Sequence, residues 1–203
     1  MLKLKKVAIT GGVASGKSSA CQFFRELGAY VVSADALVHE LLSLETSLGQ
    51  QVLKIFGPQI LQDGKIDRRI LASEVFVHPS RLDLLEKLLH PEVLQKIDEL
   101  YKLARQTGTY TLFIVEIPLL YEIQNQDAYD AVIAVLADES LAKKRFCEAG
   151  HTESEYIQRM SRQWQPKEKA KKADYILMNN GSLAKLREEV VKLNSILKEK
   201  QFS

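Results

Sequence analysis

Near the start of the chain an apolar run, Lys6-Val7-Ala8-Ile9-Thr10, breaks into Gly11-Gly12-Val13-Ala14-Ser15-Gly16-Lys17-Ser18-Ser19. Apolar residues then recur at helical spacing through Ala20, Phe23, Phe24 and Leu27. Gly11-x-x-x-x-Gly16-Lys17-Ser18 is a complete phosphate-loop pattern, placed after a strand and opening a helix, as its physics requires. The glycines allow backbone angles and close approaches that a β-carbon blocks. Successive amides from Val13 to Ser18 can therefore face phosphate oxygens beside the positive end of a helix dipole. Lys17 suits the β- and γ-phosphates and the Ser18 hydroxyl suits magnesium. A glycine-rich turn that only joined strand to helix would have no use for that lysine and serine. The loop implies a nucleoside triphosphate site spanning residues 11–19.

The rest of the chain supplies a frame for such a loop. Gly28 ends the first helix, Tyr30-Val31-Val32 reads as a second buried strand, and a further helix opens at Asp35 and runs through Leu42. This β-α-β order predicts a parallel sheet. From 46 to 106 strands disappear from the pattern. A helix around Val52 to Phe56, turns at Gly57-Pro58 and Asp63-Gly64, and helices over 68–77 and 79–105 predict an all-helical insertion. Residues 111–115 and 131–136 are continuous apolar runs, as expected of strands covered on both faces. Polar helices follow over 139–148 and 153–163 with Gly150 between them, then a strand at 175–178. An amphipathic helix over 182–200 has Ser182 in position to cap it.

At 203 residues the chain suits one globular unit with room for an inserted subdomain. Its 28 basic and 26 acidic residues leave a net charge of +2, so no global field points to nucleic acid or an anionic membrane as partner. Cys21 and Cys147 are far apart and outside any metal-binding spacing, which fits a reducing compartment. The apolar run at the start breaks too early for a signal-peptide core, and no eighteen apolar residues run together. A cytoplasmic, soluble protein is expected.

No Asn-Lys-x-Asp tetrapeptide is present for guanine recognition. The third strand ends Val115-Glu116-Ile117-Pro118 rather than in the Asp-Glu of ATP-driven motors. A small-molecule kinase remains, and phosphoryl transfer then needs a carboxylate that orients an acceptor hydroxyl and takes its proton. Asp35 follows the second strand and emerges at the same carboxyl edge of a parallel sheet as the loop. Its plainer reading is a helix cap, which does not exclude catalysis.

ITGGVASGKSS, VVSADALVHELL, FGPQIL with GKIDRRIL, LLHPEVL, VEIPLLYE and ADYILMNNGS resemble, in order and spacing, the motifs of the dephospho-coenzyme A kinase family over nearly the whole chain. The resemblance implies an α/β, three-layer P-loop kinase fold like that of the nucleoside monophosphate kinases. It carries a five-stranded parallel sheet, a helical acceptor-binding insertion and a lid. Residues 1–45 and 107–203 would form the nucleotide-binding core, 46–106 the acceptor subdomain and 141–165 the lid. The implied reaction transfers the ATP γ-phosphate to the ribose 3′-hydroxyl of dephospho-coenzyme A. ATP and Mg2+ are the implied cofactors, acting in a monomer or weak homo-oligomer.

Carried onto this sequence, the resemblance makes Asp35 the second aspartate of an Asp-Ala-Asp motif, with Ser33 where the family has the first. Lys17 and Arg145 join Asp35 as catalytic candidates. Glu116 matches a carboxylate at the strand end that would hold magnesium through water and border the acceptor; its plainer reading is a partner for Lys17 or a helix amide. Arg68, in Asp67-Arg68, suits the acceptor's phosphates because its guanidinium forks onto two oxygens; the pair is also a plausible helix start. His90, before Pro91, would position the acceptor or simply pack at a helix break. Arg145 fits a mobile lid, whose usual second arginine is replaced across Cys147-Glu148-Ala149. Arg159 is a further phosphate candidate, and Asn179-Asn180-Gly181 would either contact adenine or form an ordinary turn.

Overall fold

The computed structural model describes residues 4–76 and 78–199. The expected helix ends at residues 77 and 200 lie outside them. The chain forms two compact units, one from the chain up to Ser33 and again from Tyr101, the other from Ala34–Leu100.

The first unit is built on five parallel strands: β1 (Lys5–Gly11), β2 (Tyr30–Ser33), β5 (Leu112–Glu116), β6 (Ala131–Leu136) and β7 (Tyr175–Met178). Their spatial order is β2-β5-β1-β6-β7. Strands β5 and β6 are buried almost throughout, which is why they read as unbroken apolar runs. Helices α1 (Lys17–Glu26) and α9 (Leu183–Glu199) pack together over one face. There Ala20, Cys21 and Phe24 meet Leu186, Val190, Leu193 and Leu197 above Val7, Ile9, Ile114 and Ile133. Phe24 is wholly buried, and its truncation to alanine would cost about 3–5 kcal/mol through lost transfer energy and the cavity left behind. Burial and the negative charge of Glu116 hold the Cys21 thiol far above its ordinary range, so it behaves as an apolar core residue.

Register places the working ends of the strands on one edge. Ile9 pairs with Glu116, Gly11 with Val135 and Ser33 with Glu116. Three further helices complete this unit: α6 (Glu139–Glu148), α7 (Glu153–Met160) and α8 (Pro166–Lys172). The expected single helix over 153–163 therefore ends at Met160, and Pro166, whose missing N–H costs nothing at a first helical position, begins a separate one. Thr152 caps α7 in a reciprocal capping box with Glu155.

The second unit holds α2 (Ala34–Leu41), α3 (Ser47–Phe56), α4 (Arg68–Phe76) and most of α5 (Pro79–Thr107) around Leu48, Val52, Phe56, Ile60, Leu71, Val75, Leu85 and Leu89. It is not entirely helical. Two-residue strands β3 (Leu61–Gln62) and β4 (Lys65–Ile66) pair antiparallel across Asp63-Gly64, both at positive φ, as a tight two-residue hairpin requires. Strands this short show no alternation in sequence. Pro91 lies inside α5 rather than at a break in it.

Candidate functional site

Two glycines explain how the loop holds its shape. Gly16, at φ +97°, begins α1 without any side-chain cap, which leaves the helix's first N–H groups for an anion. A β-carbon there would lie 2.0 Å from the side-chain nitrogen of Asn179. Gly11, at φ +145°, has the Val135 carbonyl oxygen 2.2 Å from where its β-carbon would be. The loop is thus pressed between the end of β6 and the residue that follows β7.

Lys17 is buried, and its ammonium donates to the carbonyls of Gly12 at 2.7 Å and Gly11 at 3.3 Å. The Ser18 hydroxyl donates to Glu116 Oε1 at 2.9 Å, so the loop serine and the strand-end carboxylate form one oxygen cluster. Ser15 Oγ is buried without a hydrogen-bond partner, an unspent donor inside the loop. The buried Asn179 donates its side-chain amide to the Ser15 carbonyl at 2.9 Å, while its backbone carbonyl accepts from Arg145 at 2.9 Å. Arg145 also reaches the Gly181 carbonyl at 3.5 Å. Residues Ala14 to Ser19, Arg145, Asn179, Gly181 and Leu183 line a cavity of about 440 Å3, within the range of small-molecule sites.

Lys17, Ser18, Glu116, Arg145 and Asn179 therefore lie together, and Gly16, Ser15, Ala14 and Ser19 share the same wall. Gly12 and Val13 line a second hollow of about 520 Å3 together with Ala142, Tyr156 and Met160. Arg159 is exposed on α7, outside the cavity lining, with its guanidinium carbon 5.2 Å from the Phe146 ring centroid. The neighbouring lysines are also engaged: Lys143 pairs with Glu153 and Lys144 with Glu148. In the second unit Asp35 is exposed in the first turn of α2, two residues beyond Ser33. Asp67 accepts from the amides of Arg69 and Ile70 and so caps α4, leaving Arg68 exposed at that helix's start. His90 is half-buried within α5.

One group escaped the sequence reading. In the lysine-rich Pro166-Lys167-Glu168-Lys169-Ala170-Lys171-Lys172, Lys169 is completely buried. Its ammonium donates to the Pro118 carbonyl at 2.6 Å and to Glu122 Oε1 at 2.8 Å. Burial pulls its pKa down, and the Glu122 carboxylate works against that shift. Tyr121, beside Glu122, is pushed up to about 12, chiefly by burial and then by the charge of Asp174.

A parallel sheet of this order, with a phosphate loop leaving its central strand and a carboxylate at the end of the next strand, defines a P-loop kinase. A family model for dephospho-CoA kinase matches residues 5–185. The Protochlamydia amoebophila dephospho-CoA kinase is 44% identical over 200 residues, covering 98% of each chain. A crystal structure from Thermus thermophilus superposes with a TM-score of 0.81 at 31% identity, over 98% of this chain and 99% of that one. A dephospho-CoA kinase structure from Campylobacter jejuni does so with a TM-score of 0.65 at 28% identity, over 97% and 98%. The chain belongs to the dephospho-CoA kinase family. It transfers the ATP γ-phosphate to the ribose 3′-hydroxyl of dephospho-coenzyme A, giving coenzyme A and ADP, the last step in forming that coenzyme.

Proposed function

We propose that the cavity beside Gly16 holds ATP and that Asp35 takes the proton of the acceptor hydroxyl. The observation that carries this reading is the Ser18–Glu116 contact at the mouth of a loop whose lysine, uncapped helix and unpaired Ser15 hydroxyl all suit phosphate. In the step itself the ribose 3′-oxygen bonds to the γ-phosphorus as the bond to the β,γ-bridging oxygen breaks. The electron pair leaves with ADP, and the hydroxyl proton goes to the Asp35 carboxylate. Lys17 exchanges its loop carbonyls for phosphate oxygens, and Arg145 holds the base end through the turn after β7.

Serine hydroxyl and glutamate carboxylate are hard oxygen donors of the kind Mg2+ prefers, so Ser18, and Glu116 through water, fit that ion. Held by these two residues, Mg2+ would neutralise negative charge on the nucleotide's phosphates. Residues 141–165 act as the lid and 46–106 as the acceptor region, where Arg68 meets the acceptor's phosphates and His90 orients it. Arg159 reaches phosphate only if it leaves Phe146. A cytoplasmic location fits two cysteines that are both free thiols, and the protein acts there as a monomer or weak homo-oligomer.

The test incubates pure protein with ATP, Mg2+ and dephospho-coenzyme A, beside a panel of nucleosides and nucleotides. Mass spectrometry should find 3′-phosphorylated product from dephospho-coenzyme A; phosphorylation of only the other acceptors would overturn the assignment.

A further inference from the structure

The buried Lys169 ties together three segments that the reaction needs in register. Its Pro118 acceptor carbonyl also takes the Thr10 hydroxyl at 3.2 Å, and Thr10 immediately precedes the phosphate loop. Pro118 itself follows Glu116 by two residues. Its Glu122 partner, only 14% exposed, accepts the Trp164 backbone N–H at 2.7 Å through the same oxygen that meets Lys169. Gln163 Oε1 lies 3.5 Å from the ammonium, and the Trp164 ring stacks on Tyr121 at 5.8 Å. Pro166, next along, stands so close to the loop that a β-carbon on Gly12 would meet it at 2.9 Å.

A buried ion pair is an expensive way to fasten a helix, since apolar residues of similar volume often stabilise as well or better. What the pair adds is direction: one ammonium fixes the strand-end carbonyl, the carboxylate and the 163–166 turn at once. We infer that Lys169 and Glu122 are positioning residues for phosphoryl transfer, anchoring the root of the lid, 161–166, to the exit of β5 and the entry of the phosphate loop. This rests on reading 141–165 as a lid. Without the anchor, α7 and the turn after it lose their fixed distance from Gly12, and the γ-phosphate loses a wall that excludes water.

The experiment measures steady-state kinetics, ATP affinity and melting temperature for Lys169→Met, Lys169→Arg and the double variant Lys169→Met/Glu122→Leu, with Arg145→Ala alongside. Lys169→Met leaves Glu122 buried and unpaired, so it should melt lower; the double variant removes both charges and should recover most of that loss. The expected result is that the double variant keeps ATP affinity within about threefold yet turns over at least about tenfold more slowly, while Lys169→Arg retains most of the rate. Trp164 is the chain's single tryptophan, so acrylamide quenching of its emission should rise in the double variant if the root has loosened. A double variant with wild-type kcat would overturn the inference, as would Lys169→Met folding with full turnover. If Arg145→Ala instead has no effect on turnover or on ATP affinity, the lid reading itself is wrong.

Discussion

Replacing Gly11 with alanine sets two costs against each other that the structure separates. The residue sits at φ +145°, and the new β-carbon would come 2.2 Å from the Val135 carbonyl oxygen and 3.1 Å from Ser15 Oγ. Val135 is the register partner of Gly11, so its carbonyl cannot retreat without opening the β1–β6 ladder. Backbone strain of this kind costs about 1–3 kcal/mol. Forced overpacking adds another ~1–3 kcal/mol. For a chain near 200 residues each kcal/mol moves the melting temperature by about 2–4 °C, so a fall on the order of 10 °C is expected. Gly28 supplies the control, because its φ is +88° but its β-carbon would meet nothing within 4 Å. Gly28→Ala should carry the strain alone, a loss of about 1–3 kcal/mol. Scanning calorimetry reads the first difference, and ATP titration the second: Gly11→Ala should raise the KM for ATP at least about tenfold, because the loop amides are displaced with the backbone. Equal melting losses for the two variants, or a normal KM for ATP in Gly11→Ala, would refute the steric argument.

Three further outcomes are expected. Asp35→Asn should lower turnover at least about a hundredfold with ATP affinity nearly intact, and loss of ATP binding instead would make Asp35 a metal or structural group. Glu116→Gln should shift the Mg2+ dependence of the rate to higher concentration without changing the melting temperature by more than a few degrees; an unchanged Mg2+ profile would remove Glu116 from the ion's surroundings. The Glu155 carboxylate accepts the Thr152 backbone N–H and hydroxyl, which holds it below its ordinary value of 4.5. A carboxylate depressed in the folded state contributes stability above pH 4.5 that is lost as pH falls through the lower folded value. Glu155→Gln should therefore lower the melting temperature at neutral pH, with the difference shrinking as pH falls below 4.5 through the folded value, and a difference that does not shrink would count against the carboxylate's charge as the source of that stability.

How much of this was readable beforehand depended on how local each feature is. The phosphate loop is contiguous, so residues 11–19 could be assigned from spacing alone, and the buried strands announced themselves because both faces are covered. Asn179 was readable as a turn residue or an adenine contact, but not as a partner of the loop; its hold on Ser15 spans 164 positions and exists only once β7 lies beside β6. Lys169 was hidden for the opposite reason. Among Lys167, Lys171 and Lys172 it looks like one more solvated charge, and only the approach of Pro118 and Glu122 buries it. Arg159 shows the same limit, since stacking on Phe146 depends on how α6 and α7 fold against each other. The β3–β4 hairpin went unread because two residues are too few to alternate.

The Asn179 amide also governs which substitutions the loop can accept. Aspartate there would offer no donor to the Ser15 carbonyl, leucine would leave that carbonyl bare, and glutamine would drive one more methylene into the wall against Gly16. Any side chain at position 16 must first evict the amide at 179. The two positions therefore hold each other to one choice apiece, and a library that varies them singly should return almost only the parent pair.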